Sequence, residues 1–218
     1  MKREIKLTSD GSTTIHLPDW EEHYHSIHGA IQEAYHVYIA QGLKAKEGPN
    51  ISILEMGFGT GLNCFITFLE RANLLINYVG VEAYPVVKSE YDQLNYVTEL
   101  HAEQNTAIFE TLHSASWEKT HAIRNGFTLT KRKQLFKDVN DVNSYDVIYF
   151  DAFAPNIQPE LWTEAIFKNM YRALKINGIL VTYAAKGDVK RALKAVGFSV
   201  KRLPGPKGKW HMLRATKN

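Results

Sequence analysis

The sequence predicts an α/β protein of the doubly wound, Rossmann-like class, with a mostly parallel seven-stranded sheet. Apolar runs of strand length alternate with segments of helical periodicity over most of the chain. A glycine-rich turn joins the first of these strands to the first of these helices. Alternation of this kind places ligands at the carboxyl ends of parallel strands. We expect the main domain over residues 49–218, preceded by a small N-terminal elaboration over residues 1–48.

The expected elements follow in order along the chain. In the N-terminal elaboration, turn-forming residues 8–12 precede a short polar strand, and residues 27–39 carry apolar side chains at helical spacing. In the main domain, strands are expected at residues 51–54, 78–81, 145–150, 179–183, 198–203 and 210–215. Helices are expected at residues 62–71, 85–112, 159–174 and 189–196.

Composition restricts the class of protein. The chain has 218 residues, of which 44% are apolar and 22% charged, as in ordinary soluble domains. Residues 1–12 lack an apolar signal region, and no apolar run approaches the roughly 18–20 residues that span a bilayer, so we expect a cytoplasmic protein without membrane contact. The single cysteine, Cys64, can form neither an internal disulfide nor a zinc knuckle and is expected to pack in the interior.

Charge is distributed unevenly. Residues 186–218 contain ten Lys or Arg and one acid, whereas residues 1–185 contain sixteen basic and twenty-two acidic residues. A basic segment on an acidic domain is typical of an edge that binds a polyanion, because Lys and Arg hold phosphates. Charge alone equally allows an ordinary solvated surface.

The turn after the first strand reads Glu-Met-Gly-Phe-Gly-Thr-Gly over residues 55–61. Its alternate glycines let the backbone approach a bound nucleoside, where a Cβ would collide. Glu82 follows the next strand and can accept hydrogen bonds from ribose hydroxyls. The turn differs from the G-x-G-x-x-G of dinucleotide sites, lacks the P-loop lysine, and carries an acid, Glu55, that would repel pyrophosphate. S-adenosylmethionine, which is cationic at sulfur and has no phosphate, fits this chemistry.

A second chemical feature follows the strand at residues 145–150. This strand delivers Asp151 and Phe153 to the carboxyl edge of the sheet, beside the glycine-rich turn. The acceptor of a transferred methyl group is expected there. An aspartate at a strand end can also simply cap the next loop. The position of Asp151 alone therefore does not distinguish a role at the acceptor site from a structural one.

Several further motifs accompany these two features. They are Phe150-Asp-Ala-Phe-Ala-Pro155, Pro159-Glu-Leu-Trp162, Tyr183-Ala-Ala-Lys-Gly187 and Leu203-Pro-Gly-Pro206, with Asp10-Gly-Ser12 and Tyr24-His-Ser26 near the start. Together with the glycine-rich turn, they resemble the methyltransferase domain of tRNA 5-methylaminomethyl-2-thiouridine biosynthesis, the MnmC type. The resemblance covers nearly the whole chain.

The resemblance implies an enzyme that uses S-adenosylmethionine to methylate the exocyclic amine of 5-aminomethyl-(2-thio)uridine at the tRNA wobble position. It implies the stand-alone form, without the oxidase domain of larger members. Expected cofactor contacts are Glu55, Gly57, Phe58, Gly59, Thr60, Gly61, Asn63, Glu82, Ser26 and Asp138. Expected catalytic residues are Asp151, Tyr24 and Phe153. Expected contacts to the anticodon stem-loop are Lys186, Lys190, Arg191, Lys207 and Lys209, while Phe153 or Trp162 could stack on a base.

Two places depart from the family pattern. Residues 209–212 read Lys-Trp-His-Met, where the family has an arginine and an acid before the methionine. The acid that follows the third strand of the family is hard to align over residues 131–138, which leaves Asp138 as the candidate contact on the adenine side.

Methyl transfer to an amine requires alignment and an unprotonated nitrogen rather than a covalent nucleophile. Asp151 is therefore expected to orient the amine, with the proton leaving through water or Tyr24. The reaction needs no metal, so no metal is predicted to bind the histidines at positions 23, 25, 28 and 36. A monomer is expected. Two alternatives stay open: methyl or aminopropyl transfer to a small-molecule amine, and a non-catalytic adenosyl- or tRNA-binding module.

Overall fold

The computed structural model describes residues 2–218, which form two sheets and seven α-helices. The small N-terminal sheet is antiparallel and contains β1 (Glu4–Leu7), β2 (Thr13–Leu17) and β3 (Glu22–His23). The large sheet contains β4 (Asn50–Met56), β5 (Leu75–Val81), β6 (Thr120–Arg124), β7 (Phe127–Arg132), β8 (Tyr145–Phe150), β9 (Leu174–Thr182), β10 (Ser199–Pro204) and β11 (His211–Thr216). The helices are α1 (Ala30–Ala34), α2 (Leu62–Glu70), α3 (Lys88–Tyr91), α4 (Tyr96–Glu99), α5 (Thr106–Ser114), α6 (Glu164–Ala173) and α7 (Gly187–Ala195).

The large sheet has the strand order β10-β11-β9-β8-β4-β5-β7-β6. β4 pairs in parallel with both β5 and β8, β5 pairs in parallel with β7, and β8 with β9. β11 runs antiparallel to β9 and carries β10 at the edge. These pairings confirm the predicted doubly wound, mostly parallel sheet. Because the strand order reverses between β4 and β8, a crevice opens at their carboxyl ends.

The large sheet has eight strands, so the prediction of seven was wrong. Neither β6 nor β7 was among the individual strands expected, and the two form an antiparallel hairpin at the edge of the sheet. The two strands meet at Asn125-Gly126, where Gly126 has φ +82°. Asn-Gly is the preferred pair for a two-residue hairpin because such turns need positive φ. Along β7, buried side chains alternate with half-exposed ones. The Asn-Gly pair and the alternating strand are both recognisable in a sequence, so this hairpin had two local signals.

The single helix predicted over residues 85–112 was also wrong. The segment contains three helices, α3, α4 and α5, which turns separate. His101 lies between α4 and α5 with φ +49°, and a left-handed residue cannot continue a right-handed helix. No helix within residues 2–218 combines the length and the apolar character needed to span a bilayer.

Both faces of the large sheet are covered by apolar layers. Tyr149 of β8 packs on one face against Tyr78 and Tyr38, whose ring centroids are 6.2 and 5.3 Å away. Its neighbour Phe150 points to the other face, where the Phe167 ring is 5.2 Å away. Successive residues of a strand point to opposite faces, so a strand buried on both sides reads as a continuous apolar run. The run at residues 145–150 was therefore recognisable as a central strand.

The N-terminal elaboration packs on the first of these faces and against the glycine-rich turn. The His25 imidazole is buried, with its Nε2 3.2 Å from Thr60 Oγ1 and its Nδ1 3.4 Å from Thr14 Oγ1. The Tyr96 hydroxyl donates to the same Thr60 oxygen at 3.1 Å. Burial lowers the pKa of His25 to about 4, so the ring is neutral at physiological pH. Tyr38, in the N-terminal elaboration, belongs to the main hydrophobic core. The boundary expected at residue 48 stays a prediction.

His25 makes the attachment of the N-terminal elaboration sensitive to acid. The unfolded chain takes up a proton at this position near pH 6.5, whereas the folded chain takes it up near pH 4, so stability falls as the pH drops through that window. We expect His25→Gln to reduce the loss of thermal stability between about pH 6.5 and 5. Replacing the exposed His101 by Asn is the control. An unchanged slope in His25→Gln, measured by thermal denaturation across pH, would contradict this account.

Candidate active site

A cavity of about 400 Å³ opens at the carboxyl edge of the large sheet. Three of its walls are residues 57–59 after β4, residues 82–84 after β5, and residues 151–153 after β8. Trp20 and Tyr24 of the N-terminal elaboration line another side. The carboxyl ends of neighbouring parallel strands meet at one edge, which explains why segments distant in sequence share this cavity.

Two glycines of the turn are required by close contacts. Gly57 has φ +96°, and a Cβ there would lie 2.5 Å from the backbone oxygen of Asp151. Gly59 has φ +49°, and a Cβ there would lie 3.2 Å from Cδ1 of Tyr24. Both residues have left-handed backbone that strains any other residue, and at Gly57 there is no room for a side chain. Gly57 lets the ends of β4 and β8 approach each other, and Gly59 lets the turn approach Tyr24.

Glu82 is held in place by the backbone around the cavity. Its Oε2 accepts from the Gly59 amide at 3.0 Å, and its Oε1 accepts from the Tyr84 amide at 2.9 Å. Each carboxylate oxygen can accept a further hydrogen bond. Glu82 thus joins the segments after β4 and β5 and still presents acceptors to the cavity, as ribose hydroxyls require.

Asn63, near the start of α2, connects two carboxylates. Its Nδ2 donates to Glu55 Oε1 at 3.0 Å and to Asp151 Oδ2 at 2.8 Å. Both amide hydrogens are thereby used, which also determines the orientation of the amide group. Within residues 2–218, Glu55 Oε2 and Asn63 Oδ1 are buried without a hydrogen-bond partner. Both atoms are enclosed by protein, so a bound group would reach them only if a side chain moved.

The two carboxylates of this network resist ionisation. Burial raises the pKa of Asp151 to about 7, and burial together with the neighbouring Asp151 raises the pKa of Glu55 well above its usual range. Burial likewise raises the pKa of Tyr24 above its ordinary value, so its phenol stays protonated at neutral pH. Asp151 is consequently a group beside the cavity that exchanges a proton near physiological pH.

Aromatic rings surround the approach to Asp151. The Phe153 ring meets Tyr24 edge to face at 5.1 Å and Trp20 at 5.7 Å between centroids. Trp162 is buried in the core behind this wall and donates from its indole nitrogen to the Phe153 backbone oxygen at 2.8 Å. Trp162 therefore supports the wall and does not present a face to a base, whereas Phe153 lies at the cavity.

The structure brings together some of the predicted site residues. Those that line the cavity are Gly57, Phe58, Gly59, Asn63, Glu82, Tyr24, Asp151 and Phe153. Glu55 lies behind Asn63 and is fully buried. The remaining predicted cofactor residues, outside the lining, are Thr60, Gly61, Ser26 and Asp138.

Local contacts explain the positions of these four residues. The Thr60 hydroxyl is engaged by His25 and Tyr96, and Gly61 precedes α2 with φ +72°. The Ser26 hydroxyl accepts from the His28 amide at 3.2 Å. Asp138 is exposed at the end of a 3₁₀ turn, although the residues just before it, 135–137, line the cavity.

The predicted tRNA-binding residues lie in different settings. Lys186, Lys207 and Arg191 are exposed, and Lys190 is half-buried. Arg191 forms a surface ion pair with Asp188, and Lys186 Nζ is 3.3 Å from Asn156 Oδ1.

Lys209 differs from these four. Its ammonium pairs with the buried Glu33 and lies 4.3 Å from the centroid of the Tyr183 ring. The Tyr183 hydroxyl donates to the backbone oxygen of Ala152, beside Asp151, at 2.8 Å. The positive charge of Lys209 is therefore directed inward, toward the acceptor side of the cavity.

The cavity wall also contains residues that sequence reasoning did not assign to the site, among them Trp20 and Arg3. The Arg3 guanidinium donates to the Tyr84 backbone oxygen at 2.8 Å and lies 5.7 Å from the centroid of the Tyr24 ring. Neither residue belongs to a recognisable motif, and Arg3 is 81 residues from its partner in sequence. Within residues 2–218, no three His, Cys, Asp or Glu side chains are grouped as metal ligands.

Comparison with known proteins identifies the class of this site. A sequence model described as S-adenosyl-L-methionine-dependent methyltransferase matches residues 130–218. The tRNA 5-methylaminomethyl-2-thiouridine biosynthesis bifunctional protein MnmC of Cupriavidus necator is 31% identical over 216 residues, covering 91% of this chain and 32% of the relative. The MnmC protein of Pseudomonas syringae pv. syringae is 29% identical over 230 residues, covering 91% and 34%. The resemblance to the MnmC methyltransferase domain is confirmed. The chain spans about a third of the length of these relatives.

Solved structures share the fold. The crystal structure of MNMC2 from Aquifex aeolicus superposes with a TM-score of 0.81 at 24% identity, covering 100% of this chain and 70% of that one. Spermidine synthase from Thermotoga maritima gives a TM-score of 0.59 at 14% identity, covering 99% and 72%. At these identities the likeness concerns the fold alone. The family match supports the predicted S-adenosylmethionine-dependent methyltransferase class.

The burial of Asp151 has a measurable cost. Its pKa is about 7 in the folded chain and near 3.9 in the unfolded chain, so stability falls as the pH rises from about 4 to about 7 and stays at the lower value above that range. We expect Asp151→Asn to raise the Tm of the protein without added cofactor at about pH 8, and the difference to shrink toward about pH 5.5. Replacing the exposed Asp92 by Asn is the control. A variant with a Tm equal to or below that of the wild type at the higher pH would refute the assignment.

Proposed function

We propose that this chain transfers a methyl group from S-adenosylmethionine to the exocyclic amine of 5-aminomethyl-(2-thio)uridine at the tRNA wobble position. The observation that carries the proposal is Asp151, a carboxyl with a pKa near 7 at the end of β8. It lies in a cavity with aromatic walls, beside the glycine-rich turn. Similarity to MnmC over nine-tenths of the chain supports the choice of substrate.

The residues of the cavity fit S-adenosylmethionine. Glu82 would hold the ribose through its free acceptor positions, and the turn at residues 57–59 would let the nucleoside lie against the backbone. The Glu55 carboxyl, behind Asn63, would attract an ammonium group in its ionised form, which that positive charge would itself favour. Cofactor contact by Ser26, Thr60 or Asp138 would need a change in side-chain position. When bound, the cofactor supplies an electrophilic methyl group on a sulfonium.

The protein must provide an unprotonated amine. A primary alkylamine has a pKa near 10.4, so about one molecule in 10³ is neutral at pH 7. Above its own pKa, Asp151 is an anion that attracts the ammonium and accepts its hydrogen bond. Because its pKa is raised, Asp151 is also a much better proton acceptor than an ordinary aspartate. We assign it both orientation of the amine and temporary uptake of the proton.

Tyr24 has a different part in this scheme. Its phenol stays protonated because burial raises its pKa, so it cannot serve as the base. It can donate a hydrogen bond and, with Phe153, exclude water from the acceptor position. Proton release to solvent then occurs from Asp151.

The nucleic-acid part of the proposal rests on the basic C-terminal segment. Lys186, Lys190, Arg191 and Lys207 would contact phosphates of the anticodon stem-loop, since Lys and Arg provide most of the affinity for nucleic acids. The alternative of aminopropyl transfer gains nothing from the likeness to spermidine synthase, which is one of fold.

The proposed reaction can be tested directly. The protein is incubated with labelled S-adenosylmethionine and tRNA that carries 5-aminomethyluridine, and the nucleosides are analysed by mass spectrometry. We expect this nucleoside to gain the mass of one methylene group. Tight cofactor binding without that gain would remove the proposed activity and favour a small-molecule acceptor or a non-catalytic role.

Asp151→Ala separates catalysis from cofactor binding. Because Asp151 acts on the amine, we expect turnover to fall by about 10²- to 10⁴-fold while affinity for S-adenosylmethionine changes little. Single-turnover rates and calorimetric binding measure the two quantities. Asp92→Ala, on the surface, is the matched control. A loss confined to cofactor affinity would contradict the assigned role.

The pH dependence gives an independent test of Asp151. Its carboxylate form is the active one, so kcat/KM should rise as the pH increases through about 7. In Asp151→Asn this step should disappear, while any rise caused by deprotonation of the free amine remains at higher pH. Identical profiles for the two proteins would show that another group titrates.

A further inference from the structure

The turn between β10 and β11, residues 205–210, carries an exposed indole that the proposed mechanism does not use. Trp210 is 90% exposed, more than any other large apolar side chain in the part of the chain that the structure describes. A tryptophan in such a position contributes nothing to the core. Its exposure points to a partner.

The turn is rigid enough to present this side chain. The Gly205 amide donates to the Trp210 backbone oxygen at 3.1 Å, and the Lys209 amide donates to the Pro206 oxygen at 2.9 Å. At Gly208 an added Cβ would come within 2.2 Å of the His28 ring, so the turn lies directly on the N-terminal elaboration. The backbone that carries the indole is thus held by hydrogen bonds and by packing on the N-terminal elaboration.

The turn also lies next to the acceptor side of the cavity. Lys209, adjacent to Trp210, reaches inward to Glu33 and Tyr183. Tyr183 in turn donates to the backbone of Ala152, which follows Asp151. A continuous set of contacts therefore connects Trp210 to the proposed acceptor site.

The β10–β11 hairpin that carries Trp210 is basic. Lys207 is exposed in the same turn, and Lys201 and Arg202 are exposed on β10. Among residues 2–218, none of these three forms an ion pair. An exposed aromatic ring among uncompensated cations is the arrangement with which proteins bind unpaired nucleic acid, by stacking on bases and neutralising phosphates.

We propose that the turn at residues 205–210 is a docking element for the anticodon loop, in which Trp210 stacks on an unpaired base near the one that enters the cavity. This inference rests on the proposed function, because it takes tRNA as the substrate. Stacking requires only the face of a base, so Trp210 would supply affinity and register without reading sequence.

The test compares variants in binding to tRNA that carries 5-aminomethyluridine, followed by fluorescence polarisation. Trp210→Ala should weaken binding by about tenfold, and Trp210→Phe should retain most of the affinity, because a phenyl ring still stacks. Affinity for S-adenosylmethionine alone should stay the same. Ile176→Ala, an exposed apolar side chain at the amino end of β9, is the matched control and should bind as the wild type does.

The salt dependence of tRNA binding distinguishes base stacking by Trp210 from phosphate contact by Lys207. Lys207→Ala should lower the slope of log Kd against log salt by about one, because one phosphate contact is lost, whereas Trp210→Ala should weaken binding at an unchanged slope. Equal affinity of Trp210→Ala and wild type would overturn the docking role. A different result would be self-association of the wild type that depends on concentration and that Trp210→Ala abolishes, with RNA affinity unchanged. That result would assign Trp210 to contact between copies of the chain and would equally overturn the docking role.

The outcomes for the two proposals are distinguishable. If the wild type methylates the tRNA and Trp210→Ala binds it normally, only the docking role fails. If the wild type neither methylates nor binds the tRNA, both the function and the docking role fail. Weakened binding that Trp210→Phe does not rescue would show that Trp210 supports the turn rather than stacks.

Discussion

The site depends on the hydrogen bonds that the side-chain amide of Asn63 donates. This amide donates one hydrogen to Glu55 and the other to Asp151, and so joins the ends of β4 and β8 at the point where the strand order reverses. Two buried carboxylates this close would repel each other if both were ionised, and burial makes the charged form of each costly. The same arrangement that costs stability keeps the pKa of Asp151 near neutrality, where a proton acceptor for an amine is useful.

The N-terminal elaboration completes the site. Trp20 and Tyr24 add aromatic side chains to the cavity wall, and His25 attaches this segment to Thr60 in the glycine-rich turn. Glu33 from α1 pairs with Lys209 near the other end of the chain. The cavity is therefore lined by side chains of both the N-terminal elaboration and the main domain, while the boundary expected at residue 48 stays a prediction.

Local signals account for what could be predicted from the sequence. The continuous apolar run at residues 147–150, within the strand expected at residues 145–150, identified a central strand, because both faces of the sheet are covered. The Asn-Gly pair at residues 125–126 is a comparable local signal for the β6–β7 hairpin, but the prediction did not use it. The helix predicted over residues 85–112 failed because apolar spacing persists across turns such as the one at His101, where a single left-handed residue interrupts the helix.

The fold class and the chemical type of the glycine-rich turn could be predicted from the sequence, because strand alternation and the backbone freedom of Gly57 and Gly59 are properties of short segments. Which charged and aromatic residues meet at the cavity depends on the folded arrangement. Lys209, expected on the phosphate-binding edge, points inward to Glu33, 176 residues away. Trp162, a candidate for stacking, lies in the core, and Trp210 lies in the solvent. These positions depend on how elements distant in sequence pack together, and a single sequence contains no local signal for that packing.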